Sequence, residues 1–93
     1  MADFKTVQVG SPTYNHVAGA GTTFVKTGPG RLHGIVVGTP AGVCTVYDST
    51  TGSGTVMAVI TTTSPVGLDF NCDFTVGLTV VTTSTSDVTI IHE

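Results

Sequence analysis

Nineteen threonines and fifteen valines in a chain of 93 residues leave few folds open to it. Both residue types are β-branched, stiff at χ1 and better suited to a pleated sheet than to a helix. The Thr hydroxyls keep a surface polar without charge. Asp, Glu, Lys and Arg make up 10% of the chain, against roughly a quarter of an ordinary soluble domain. No segment carries apolar residues at i, i+3, i+4 and i+7 among good helix formers, so the sequence predicts an all-β protein with no long helix.

The length fits one domain. A net charge of −3, with Lys5, Lys26 and Arg31 as the cations, argues against a nucleic-acid partner, because phosphate binding needs several Lys and Arg together. The opening Met-Ala-Asp-Phe-Lys has no apolar run of the kind a secretion signal needs. No stretch reaches the roughly 18 apolar residues of a membrane span. The expectation is a protein made in a cytoplasm, with no membrane partner.

Short β-rich runs are separated by Gly, Pro, Asn, Asp and Ser. The expected strands are Phe4–Val9, Thr22–Thr27, Leu32–Gly38, Gly42–Asp48, Thr55–Thr61, Val66–Phe70, Gly77–Thr82 and Asp87–His92. Their close spacing predicts a single antiparallel β-sandwich or jelly-roll-like domain over residues 22–93. Residues 1–21, where Tyr14-Asn15-His16 breaks the strand pattern, read as one short strand and a loosely structured arm. Such arms can pair with a neighbour's sheet edge; an edge strand with a long loop on its own domain is the equal alternative.

Alternation gives the burial direction. Leu32, Gly34 and Val36 share one face, as do Cys44 and Val46; Val56, Ala58 and Ile60; Leu68, Phe70 and Cys72; Leu78 and Val80; and Val88 and Ile90. These form the expected core. The opposite faces carry Ile35, Val37, Met57, Val59, Val81 and Ile91. A two-layer domain would leave these six open to water unless a partner covered them. Together with Phe4, Val7, Val9 and Tyr14 from the N-terminal segment, they are the expected oligomer or partner contacts.

Cys44 and Cys72 lack the paired spacing of a zinc site and lie among apolar neighbours, so both read as buried, reduced thiols. Asp69-Phe-Asn71-Cys-Asp73 imitates the start of a calcium loop, but Phe74 and Val80 stand where Gly and Glu are required. These three polar residues read instead as a solvent face, and no metal is expected. His16, His33 and His92 fall in separate segments and read as ordinary surface or interface residues. Gly19-Ala-Gly21, Gly28-Pro-Gly30 and Gly52-Ser-Gly54 are turns, since none completes a phosphate-binding pattern. Asp48, Asp69, Asp73 and Asp87 are the carboxylates a paired-acid site would need, and all fall at strand ends or exposed positions. No catalytic residue and no cofactor is expected.

From Leu32 onward the chain resembles small virion proteins of tailed bacteriophages. The resemblance is carried by Leu32-His-Gly-Ile-Val-Val, Val46-Tyr-Asp-Ser-Thr-Thr-Gly-Ser-Gly-Thr, Gly77-Leu-Thr-Val-Val-Thr-Thr and Asp87-Val-Thr-Ile-Ile-His. It implies a capsid decoration, or cement, protein on the virion surface, made in the bacterial host cytoplasm. Its partners would be the major capsid protein and further copies of itself, commonly as a homotrimer. A neck, tail or head-fibre component would satisfy the same residues. A carbohydrate-binding sandwich fits less well, because the chain has no Trp and two Tyr residues.

Overall fold

The computed structural model describes residues 12–61 and 63–93. These hold eight strands and no helix: β1 Thr13–Ala18, β2 Gly21–Thr27, β3 Gly30–Thr39, β4 Cys44–Asp48, β5 Thr55–Ile60, β6 Val66–Phe74, β7 Gly77–Thr82 and β8 Asp87–His92. They form two four-stranded sheets in the orders β1-β8-β3-β6 and β2-β7-β4-β5. Every pairing is antiparallel. β1 pairs with β8, β2 with β7, β3 with β6 and β4 with β5. The chain is therefore one long hairpin, tipped by the loop 49–54, whose successive strand pairs alternate between the two sheets.

One buried cluster draws on both sheets, so the two layers share a core. Val17, Leu32, Ile35, Val37, Phe74, Val88 and Ile90 come from the first sheet, and Cys44, Val46, Ile60, Leu78 and Val80 from the second. Each large side chain buried this way contributes about 1.5–3 kcal/mol. The expected core positions Leu32, Cys44, Val46, Ile60, Leu78, Val80, Val88 and Ile90 are all in it.

Two β-bulges overturn the expected faces elsewhere. Between Leu32 and Gly34, β3 advances two residues while β8 advances one, from His92 to Ile91, and β6 advances three, from Cys72 to Asp69. An inserted residue reverses the in–out phase of everything beyond it. Ile35 and Val37, expected outside, are therefore core residues, with Ile35 fully buried, while Val36, expected inside, is 45% exposed. In β5, Val46 faces Ala58 and Tyr47 faces Val56, which leaves Met57 as the extra residue. Met57 consequently packs against the core and Val56 points out.

Three further expectations are corrected. Cys72 is exposed on β6, beyond the irregularity that follows Asp69, although Cys44 is buried; both are free thiols. His92 is 5% exposed and belongs to the interior. Thr13–Ala18 is a strand of the first sheet, with Val17 in the core, so the domain begins ahead of residue 22. The expected strand Phe4–Val9 lies outside the described residues.

Candidate partner-binding surfaces

The outer face of the first sheet is built from two register rows. Tyr14 faces Ile91, Ile91 faces Gly34 and Gly34 faces Asp69; next to them run His16, Thr89, Val36 and Gly67. Alternation places these residues outward because Asn15, Ile90, Ile35 and Leu68 take the inward row between them. Gly34 cannot carry a side chain, since a Cβ there would stand 2.9 Å from the Leu68 carbonyl oxygen. Gly34 is itself buried, and Gly67, on the neighbouring row, is exposed. A trough of about 360 Å³ follows, lined by His33, Val36, Leu68, Asp69 and Ile91 among others. A second hollow of about 440 Å³, bounded by Pro12, Tyr14 and Thr89, meets it at Ile91. Tyr14, at 67% exposure, and Val36 rise on the same face. The whole is a shallow, mostly apolar surface.

The outer face of the second sheet is organised differently. Here the rows are Phe24-Thr79-Tyr47-Val56 and Thr22-Val81-Thr45-Val59. The loop 49–54 folds back over their middle. Thr79 Oγ1 donates to the Ser49 carbonyl at 2.8 Å, and a Cβ built on Gly52 would stand 3.3 Å from both Thr22 and Val81. Thr79 is fully buried in consequence, although it lies on the outer row. The exposed apolar residues sit at the two rims, Phe24 on β2 and Val56 and Val59 on β5.

One carboxylate anchors this covered end. Asp48 closes β4 and accepts hydrogen bonds from the backbone N–H groups of Thr75, Val76 and Gly77 and from the Thr75 hydroxyl. Burial works to raise its pKa, but the three backbone donors and the hydroxyl outweigh that and hold it below the ordinary carboxylate value. The ends of three strands are thereby tied together.

Three ion pairs link other strands among the described residues. Arg31 Nε donates to Asp73 Oδ1 at 2.8 Å and its Nη1 to Asn71 Oδ1 at 3.4 Å. The guanidinium thus occupies two of the oxygens that the calcium-like sequence would have offered a metal. Among the described residues, no group of three or more His, Cys, Asp or Glu gathers to hold an ion. His16 Nε2 lies 2.6 Å from Asp87 Oδ1, and His33 pairs with Glu93. Lys26 stands over the Phe74 ring at 6.0 Å. Burial pushes the Cys44 thiol up in pKa, away from reactivity.

Of the ten expected contact residues, Tyr14 and Val59 stand exposed, while Ile91 and Val81 are half-buried on outer faces. Ile35, Val37 and Met57 are turned inward by the bulges, and Phe4, Val7 and Val9 lie outside the described residues. The structure adds Phe24, Val36, Val56 and Val76, all exposed. Val36 and Val56 were hidden by a rule of strict alternation. Comparison of the chain with protein-family models, with curated proteins and with solved structures gives no match.

Proposed function

We propose that this protein is a capsid decoration (cement) protein of a tailed bacteriophage, bound to the outer shell as a homotrimer and clamping neighbouring capsid subunits. The observation that carries the reading is the bare apolar face around Tyr14, Val36 and Ile91, which suits a broad protein surface. Its shallowness and low charge favour a large, flat partner over a small molecule, which would need a deeper pocket with convergent polar groups. Many copies on one particle would multiply weak contacts of this kind.

The strand order supports the same reading. Four nested antiparallel pairs in two four-stranded sheets support a jelly-roll reading of the sandwich, an architecture used by viral capsid and lectin domains. In this proposal the bare face of the first sheet meets the major capsid protein, and the β5 rim with Val56 and Val59 meets the neighbouring copy. Phe4, Val7 and Val9 add further contacts with the shell or a neighbouring copy. No catalysis, cofactor or metal takes part.

The test is to mix the purified protein with expanded, DNA-free phage shells and locate it by cryo-EM. Density at the local three-fold positions, with β1-β8-β3-β6 turned inward, is the expected result. Density at the neck or tail instead would make it another virion component. Tyr14, exposed beside the trough, favours a second reading as a glycan-binding module. Binding to glycans with none to shells would select that reading.

A further inference from the structure

Among the described residues, β1 has one strand neighbour, β8. Two side-chain atoms among the described residues are buried without any partner, Ser86 Oγ and His92 Nδ1. Both border β1. Ser86 lies beside its C-terminal end, where the Ser86 carbonyl accepts from the Gly19 N–H at 2.9 Å. His92 stands opposite Thr13 at the other end. The strand is therefore seated on the least satisfied polar contacts described in the molecule.

At His92 the geometry sets the protonation state. Nε2 lies 2.9 Å from Asn15 Oδ1 on β1. The amide oxygen is an acceptor, so Nε2 carries the proton and Nδ1 keeps a bare lone pair in the core. A second proton would place an N–H without an acceptor, and a positive charge, among buried apolar groups. The surroundings oppose it further. Lys26 on β2 and His33 on β3 both add positive potential. Glu93, next in sequence, turns its carboxylate to His33. β1 contributes the uncharged Thr13 and Asn15, and Cys72 ends the same register row on β6. Burial, then Lys26 and His33, hold the His92 pKa below its ordinary value.

We propose that β1 is an acid-released latch, in which protonation of His92 at Nδ1 puts an unpaired N–H and a positive charge in the core beneath β1 and frees β1 from β8, exposing the ring to water, while the second sheet stays folded. The sign follows from linkage. With its pKa depressed in the folded state, neutral His92 contributes stability above about pH 6.5, the ordinary histidine value. That stability is lost as pH falls through the folded-state value. This inference does not depend on the virion reading.

Hydrogen exchange on the intact protein, expressed as protection factors between pH 7.5 and 5, tests it. Amides of β1 and β8 should lose protection by up to about tenfold per pH unit below 6.5, the limit for one proton. Amides of β4 and β7 should keep theirs. His92→Gln retains a donor for Asn15 but cannot titrate, and should abolish the pH response; His16→Gln and His33→Gln should leave it in place. A response that is absent, is shared by all strands, or survives in His92→Gln would overturn the proposal. Should His92→Gln fail to fold, an NMR titration of the unaltered protein decides. The His92 ring must then titrate together with the loss of β1 protection, and separate midpoints would refute the latch.

Discussion

Across β2-β7-β4-β5 the chain covers its own outer face, with Thr79 fully buried beneath the loop 49–54 and Asp48 tying the adjoining turn. Across β1-β8-β3-β6 no loop of the described residues crosses the corresponding surface, and Tyr14 and Val36 stand exposed on it. Both sheets have four strands, and the covered one is the richer in Thr and Val, with 13 of 24 strand residues against 8 of 31. The difference lies in where each loop goes and in which strands carry an inserted residue. A hydroxyl-rich loop folded over a sheet satisfies that face internally, whereas the described residues place no such loop over the first sheet.

Adjacent residues on β3 give the sharpest break. Ile35→Asp should abolish the folded state, because an unpaired carboxylate in the core costs several kcal/mol or more, a large share of a typical total of 5–15 kcal/mol. Val36→Asp should change stability by about 0.5 kcal/mol or less, as surface replacements do. Urea unfolding followed by circular dichroism measures both. Equal effects at the two positions would remove the bulge on which the comparison rests.

Asp48→Ala should cost about 1 kcal/mol at neutral pH, through lost charge-assisted hydrogen bonds to backbone N–H groups that water can reach in part. Since the folded-state pKa of Asp48 is depressed, its contribution is present above about pH 3.9, the ordinary aspartate value. It is lost as pH falls through the folded-state value. The gap between the two proteins in urea should therefore narrow in strong acid. A pH-independent gap would assign the effect to packing instead of charge.

The thiols give a smaller, kinetic contrast. Cys72 should react with a labelling reagent at nearly the rate of a free peptide, and buried Cys44 only on unfolding. Mass spectrometry after brief labelling in native buffer reads this directly. Equal protection of both would place Cys72 back in the core.

The sequence made the β class legible through its branched residues, and seven of the eight strands through their turn chemistry. β1 escaped because Tyr14-Asn15-His16 breaks the apolar pattern; Asn15 faces inward only to bind His92, a partner 77 residues away. The exposed apolar set was half legible. Alternation located Val59, Val81 and Ile91, but an inserted residue in β3 and another in β5 exchanged Ile35 for Val36 and Met57 for Val56. Nothing local marks such an insertion, because it is defined by the neighbouring strand. The tie from Asp48 to Thr75, 27 residues on, is equally invisible to local reading.

Val59→Asp should leave the domain folded and weaken association between copies, measurable by sedimentation velocity. A strict monomer in the unaltered protein at high concentration would detach the β5 rim from any copy-to-copy role.

The most direct test of the function is co-sedimentation with expanded, DNA-free phage shells, using the unaltered protein and Val36→Asp side by side. The account predicts that the unaltered protein pellets with shells at many copies per particle, while the folded Val36→Asp variant stays in the supernatant. No binding by either protein, or equal binding by both, would contradict a shell-facing surface on β1-β8-β3-β6.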